Sequence, residues 1–201
     1  MAVHQCACFC SNPTALHELA VKRIVRYLLA TRDKDLLLHP TKSFALGMYI
    51  DADFAGHWHK EFSHLRDSVL SWAGYVITFC GCPILWASKL QSEIALSTTE
   101  SKYIALSSAT REILPLWRVL QDIALNTFIQ SPTSQKDFIL TNAFHSLISP
   151  SKVYEDNTAC IVLATTESNF KPCTKHISLK FHHFHDYIKN SSLQILNVEA
   201  T

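Results

Sequence analysis

Glycine is scarce in this chain, with four in 201 residues. No glycine-rich loop that could cradle a phosphate is present, and the G-x-S-x-G pattern of serine hydrolases is also missing. An excess of basic residues is lacking too, because the formal net charge is only +1. These absences argue against phosphate-loop nucleotide enzymes, against serine hydrolases of the elbow type and against a uniformly basic coat for nucleic acid.

The N-terminus lacks the basic-then-apolar pattern of a signal peptide, and the number of cysteines, seven, is odd. We therefore expect reduced thiols and an intracellular protein, in cytoplasm or nucleus. The uncharged stretch over residues 68–88 is long enough to cross a bilayer, but Gly74, Gly81 and Pro83 interrupt it. It is more typical of two strands joined by a turn, and no membrane partner is expected.

The order of the predicted elements indicates an α/β fold, in which helices pack on a mixed sheet. A helix with one apolar stripe precedes the first strand, and the strongest helix signal contains Pro115, which should kink it. The predicted helices cover residues 15–30, 98–124, 158–165 and 176–189; the predicted strands cover 44–53, 71–79, 84–88, 152–155 and 193–198; residues 126–151 are predicted to be a long loop.

Two aspartates stand at predicted strand ends, which is where carboxylates converge in two-metal nucleases. Asp51, in the run of residues 49–56 (YIDADFAG), lies at the end of an apolar strand, and Asp156 ends another short strand and leads into a helix. Two Mg²⁺ ions can be held by a few carboxylates that meet at one place. The alternative for each residue alone is an ordinary strand-end or helix N-cap aspartate.

Six motifs occur in a fixed order along the chain: residues 20–29 (AVKRIVRYLL), 51–56 (DADFAG), 86–89 (WASK), 97–100 (STTE), 156–157 (DN) and 174–177 (TKHI). Together they resemble the C-terminal part of the polyprotein of copia-type LTR retrotransposons, where a ribonuclease H (RNase H) domain follows the reverse transcriptase. The resemblance implies that residues 1–40 are the C-terminal tail of a reverse transcriptase, its connection segment. It also implies that residues 44–201 are an RNase H-like domain, a mixed sheet flanked by helices, C-terminally truncated so that the final helix is lacking.

The resemblance also implies an ancestral activity, the two-metal hydrolysis of RNA in RNA/DNA hybrids, with Mg²⁺ as cofactor and Mn²⁺ as the alternative. Asp51 matches the first catalytic aspartate and Asp156 the third carboxylate, and both would be metal ligands. The position of the family glutamate holds Lys102, and the fourth carboxylate belongs to the helix that is lacking. With two of four carboxylates absent, activity of this fragment is doubtful; the alternative is a non-catalytic RNase H-like remnant, or a module that binds nucleic acid or protein. The expected partners are an RNA/DNA hybrid and the remainder of a reverse transcriptase polyprotein.

A helical wheel tests the position of Lys102 without reference to any family. With about 100° per residue, Lys102 heads a stripe of apolar residues, whereas Glu100 falls about 160° away and should point to solvent. Lys102 could be a lysine whose stem snorkels at the edge of the core. Glu100 could substitute as the ligand only if the helix started at a different place.

Three further residues are candidates for contact with nucleic acid. Thr98 and Thr99 open the long helix, whose N-terminus could seat a phosphate, although plain capping is the alternative role. Lys89 could contact the backbone of a hybrid duplex, or it could simply be a solvated lysine.

Overall fold

The structure is a computed structural model, and it describes residues 2–41, 43–56, 58, 60–62, 66–129, 150–166 and 182–198. The chain divides into two compact units, Met1–Leu38 and His39–Thr201. Within the described residues, no helix is long and apolar enough to cross a membrane.

The N-terminal unit consists of two helices, α1 (Ala2–Ala7) and α2 (Ala15–Ala30). The bounds of α2 are those that the apolar stripe predicted. Thr14 precedes the helix, and its backbone N–H donates to His17 Nδ1 at 3.0 Å, which satisfies one of the groups that a helix start leaves open. None of the side chains of α2 is buried, so its apolar stripe is exposed.

The second unit is built on five strands, in the spatial order β3-β2-β1-β4-β5. β1 pairs antiparallel with β2 and parallel with β4, so the sheet is mixed. The strands are β1 (Leu46–Ala52), β2 (Trp72–Phe79), β3 (Cys82–Leu90), β4 (Ser151–Glu155) and β5 (Leu193–Asn197), with a 3-10 helix (Lys60–Phe62) and α3 (Arg66–Val69) between β1 and β2. The predicted α/β class, a mixed sheet with flanking helices, is confirmed.

The remaining helices follow the predicted order, and α4 is longer than predicted. α4 (Thr98–Ile129) continues through Pro115 and beyond residue 124, so the first part of the expected loop is helical and the rest lies outside the described residues. α5 (Thr158–Thr165) has the predicted bounds. Of the helix predicted over residues 176–189, the described part is a 3-10 helix (His182–Phe184) followed by α6 (His185–Lys189).

The core lies between the sheet and α4, and it forms because one face of each is apolar. In β1 the burial alternates, so that Met48 and Ile50 face the core while Tyr49 and Asp51 face outward. The helix contributes the stripe that the wheel indicated, in which Leu106 and Ile113 are fully buried. Asp51 is therefore exposed rather than part of the core, and it lies close to the end of the strand.

Candidate functional site

The topology of the sheet brings the two predicted aspartates to the same edge. β1 and β4 are parallel neighbours in which Tyr49 pairs with Tyr154. Asp51 and Asp156 each stand two residues further along, and the carboxyl ends of parallel strands lie on the same side of a sheet. The structure therefore supports the expectation that these two carboxylates converge.

Lys102 lies between them. This residue is in the second turn of α4, and its Nζ donates to Asp51 Oδ1 at 2.8 Å and, by a shorter contact, to Asp156 Oδ1. Its side chain is 11% exposed, against 81% for Asp51 and 54% for Asp156. Lys102 is thus neither solvated nor merely snorkelling, because its ammonium bridges both aspartates.

A third carboxylate, Glu155, belongs to the same cluster, although the sequence analysis did not select it. Its Oε1 is 3.7 Å from Lys102 Nζ and accepts the backbone N–H groups of Asp156 and Asn157 at 3.1 Å each. Its side chain is 0% exposed, and its Oε2 receives no hydrogen bond from the described residues. The alternation of β4 was the available signal, since Val153 and Glu155 share the face that packs on the core.

Burial and the mutual contacts set the charges of the cluster. Burial, together with a hydrogen bond shared with Asp156, raises the pKa of Glu155 to about 7. The contacts of Asp156 with Glu155 and with Lys102 lower the pKa of Asp156. Burial works to lower the pKa of Lys102, but its bonds to Asp156 and Asp51 outweigh that effect and raise it. The ammonium therefore stays charged wherever the protein is folded.

Glu100 is placed differently from the sequence prediction. It is buried rather than pointing to solvent, and its Oε2 accepts the backbone N–H of Leu96 at 2.7 Å. Ser97 Oγ in turn accepts the backbone N–H of Glu100 at 3.1 Å, an arrangement close to a capping box. The wheel failed here because it describes positions within a helix, whereas this carboxylate folds back onto the turn before it.

The capping alternatives are also corrected by these contacts. Ser97, not Thr98 or Thr99, provides the side-chain cap of α4. Asn157, not Asp156, caps α5, because its Oδ1 accepts the N–H of Cys160 at 2.8 Å. Thr98 is exposed and Thr99 half-exposed at the start of α4, and Lys89 is exposed on β3. The nucleic-acid roles of Thr98, Thr99 and Lys89 stay predictions.

The donor set does not fit the magnesium that the resemblance implies. Mg²⁺ requires oxygen ligands, and here the space between the two aspartates is taken by an ammonium, which cannot ligate a cation and repels it. Within the described parts of the chain, no group of three or more His, Cys, Asp or Glu side chains is arranged to hold a metal ion. The assignment of Asp51 and Asp156 as metal ligands therefore remains a prediction that the geometry opposes.

Comparisons with known proteins agree with the motifs. The Retrovirus-related Pol polyprotein from transposon TNT 1-94 of Nicotiana tabacum is 34% identical over 192 residues, which cover 96% of this chain and 12% of that protein. The Pol polyprotein from transposon RE1 of Arabidopsis thaliana is 26% identical over 199 residues, or 99% of this chain and 12% of that protein. Among solved structures, the LC11-RNase H1 isolated from compost aligns with a TM-score of 0.41 and 16% identity, over 77% of this chain and 84% of its own. No family model matches the chain.

The chain spans only 12% of the length of these Pol polyproteins, so it corresponds to one segment of them. The matches nevertheless run through nearly all of this chain, and they include the Asp51 and Asp156 regions. Its homologues, across nearly the whole chain, are retrovirus-related Pol polyproteins from plant copia-type transposons.

Proposed function

We propose that this chain carries a retrotransposon-derived RNase H-like domain that does not cleave nucleic acid. One observation carries the proposal, the Lys102 ammonium that bonds to both Asp51 and Asp156. Two-metal hydrolysis depends on divalent ions that stabilise the attacking and leaving oxygens of the phosphodiester. A cation fixed to the protein at that point has no free coordination position for either oxygen.

The competing function is the ancestral one, hydrolysis of the RNA strand with Asp51 and Asp156 as metal ligands. It would require another carboxylate in place of Lys102, and Glu100 is the candidate that the sequence offered. The Glu100 carboxylate already accepts the Leu96 N–H, so its use as a ligand would cost this hydrogen bond at the turn before α4. This cost favours the non-cleaving alternative.

We propose further that the domain binds an RNA/DNA hybrid without cutting it. The family resemblance supplies the partner, and the exposure of Lys89 and Thr98 leaves both side chains accessible to a phosphate backbone. A hybrid duplex is recognised mostly by its shape, its phosphates and its 2′-hydroxyls, so sequence-independent and salt-sensitive binding is expected.

The test uses the whole chain and a hybrid whose RNA strand is labelled. With millimolar MgCl₂ or MnCl₂, we expect fluorescence anisotropy to show that the chain binds the hybrid. The RNA strand should stay full length, as it does with the Asp51→Asn variant. Lys89→Ala should weaken binding several-fold, whereas Lys152→Ala, which changes another exposed strand lysine, should not. Rapid cleavage by the native chain that Asp51→Asn abolishes would refute the proposal.

A further inference from the structure

We infer that the open face of the sheet in the second unit is a surface for self-association, on which a second copy of this chain docks. The open face is the side of the sheet opposite α4, and alternate residues of all five strands contribute to it. Such self-association is independent of whether the domain cleaves RNA, so it goes beyond the proposed function.

Apolar and aromatic side chains form one row across this face. The register of the sheet aligns Tyr49 with Val76 on one side and with Tyr154 on the other, and aligned residues of neighbouring strands point to the same face. In the same register, the whole row consists of Trp86 (β3), Val76 (β2), Tyr49 (β1), Tyr154 (β4) and Leu196 (β5). Trp86 is 64% exposed and Tyr49 is 49% exposed, and the stacked rings of Tyr49 and Tyr154 have their centroids 4.7 Å apart. The row is therefore a continuous apolar ridge from one edge strand to the other.

The helices that pack on the sheet leave this row uncovered. α4 packs on the opposite face, in one core with Met48, Ile50 and Ile77. α5 and the 3-10 helix join the same core through Cys160 and Phe184, so among the described residues of the second unit these helices lie together on one side. Exposed apolar patches larger than a few hundred square ångströms are uncommon on monomeric proteins and mark sites of association.

The charges on the two sides of the row favour a second copy of this chain as the occupant. On β4 the exposed Lys152 stands two residues before Tyr154, and the exposed Asp156 stands two residues after it. A two-fold axis along the row reverses the strand direction, so it sets Lys152 of each copy against Asp156 of the other. That end of the sheet stays negative, because Lys102 offsets only one of the two aspartate charges. An axis along the strands would instead oppose the Asp51 carboxylates of the two copies, so the first arrangement is the favourable one.

The size of the open face fits a weak dimer. Five strands about 4.8 Å apart, with a height of about 20 Å along each strand, give an area of about 500 Å² for each copy. A pair would bury about 1,000 Å² in total, which is the low end of specific interfaces. Trp86 and Tyr49 are of the residue types that contribute most of the binding energy at interfaces. We therefore expect a dissociation constant of about 10–100 µM.

The experiment is sedimentation equilibrium of the whole chain from low to high micromolar concentration. The mass of the native chain should rise from 22.7 kDa towards twice that value. Trp86→Ser removes the largest side chain of the row and Lys152→Glu opposes like charges, so each should weaken the dimer at least about tenfold. Two matched controls should leave it unchanged: Val162→Ser, at an exposed valine of α5, and Lys89→Glu, at an exposed lysine of β3 that is aligned with Ala73 on the core side of the sheet.

Thermal melting of each variant shows whether it folds. If Trp86→Ser does not fold, Lys152→Glu carries the test, because it changes an exposed side chain only. A native chain whose mass stays at 22.7 kDa at every concentration overturns the inference. A dimer that both variants leave intact, or that Lys89→Glu weakens as much as Lys152→Glu does, overturns it too. If Leu19→Ser, on the exposed stripe of α2, abolishes the dimer while Trp86→Ser does not, the association surface is α2 and not the sheet.

Discussion

Lys102 makes three ionic contacts, and their surroundings differ enough that they do not contribute equally. Asp51 is largely solvent-exposed, so water and salt screen its attraction to the ammonium. Glu155 is fully buried, and the field of Lys102 reaches it with less screening even at 3.7 Å. Asp156 is intermediate in exposure, and it contacts both Lys102 and Glu155. The hydrogen bonds of Lys102 to Asp156 and Asp51 nevertheless raise its pKa more than the attraction to Glu155 does.

Glu155 gives a pH dependence that can be tested at the residue scale. Its pKa is about 7 in the folded state against 4.5 for an unperturbed group, so the native state holds its proton more tightly than the unfolded chain does. The stability from this group is complete below pH 4.5 and is lost as pH rises through about 7. This pH-dependent part of the free energy of unfolding amounts to up to about 3 kcal/mol, and we expect Glu155→Gln to abolish it. Urea unfolding below pH 4.5 and above pH 7 measures the difference.

The pKa shifts of Asp156 and His183 need to be separated from that effect. The pKa of Asp156 is lowered, so its contribution disappears only as the solution becomes strongly acidic. Burial and Arg111 lower the pKa of His183, so the stability that this group contributes to the protein is lost as pH falls. This direction is opposite to that of Glu155. Glu112→Gln, which neutralises an exposed glutamate on α4, serves as the control and should leave the pH profile unchanged. A profile that Glu155→Gln does not flatten would contradict the assignment.

At the scale of elements, the start of α4 determines which of its side chains faces the cluster. Ser97 and Glu100 exchange hydrogen bonds with the helix start and the turn before it, and this fixes the first helical residue at Thr98. Given that start, position 102 meets the strand ends and position 100 does not. A helix that began one residue later would turn Lys102 away from Asp51 by about 100°.

Removing the cap should therefore destabilise the protein by a measurable amount. Ser97→Ala should cost about 1 kcal/mol, since the N–H of Glu100 loses its acceptor. The matched control is Ser108→Ala, in the middle of the same helix, where the hydroxyl only donates back to the Ile104 carbonyl. That change should be neutral or slightly stabilising, because alanine is the better helix former. Equal effects of the two substitutions, in urea unfolding, would show that Ser97 does not cap α4.

The elements that were predictable from sequence are those with strong local signals. The bounds of α2 follow from apolar periodicity, a signal that acts within a few residues. Glu155 could not be found in that way, because a fully buried glutamate is rare and its burial depends on pairing with strands far away in sequence. The bridge of Lys102 to Asp51 likewise depends on tertiary structure, although the wheel correctly gave the face on which Lys102 lies.

At the scale of the whole molecule, the similarity to Pol polyproteins covers both compact units, whereas the carboxylate cluster lies entirely in the second. The first unit shows a different kind of surface, with exposed apolar side chains along α2, including Leu16, Leu19 and Leu28. The assignment of residues 1–40 to the tail of a reverse transcriptase stays a prediction. It implies a boundary close to residue 40, and the division of the chain at Leu38 and His39 is compatible with it.

Limited proteolysis tests that boundary directly. Residues 32–41 are exposed and lie outside regular helix or strand, with Leu36 and Leu37 more than two-thirds exposed. Proteases cut such segments before they cut packed elements, so trypsin should cleave first after Arg32 or Lys34 and thermolysin near Leu36. We expect a persistent fragment that starts near residue 35, which mass spectrometry would identify. This fragment should unfold in a single cooperative transition, that of the second unit. If the first cleavage falls within β1 or α4 while residues 32–41 remain intact, the boundary is misplaced. β1 and α4 hold the core and open only when the unit unfolds.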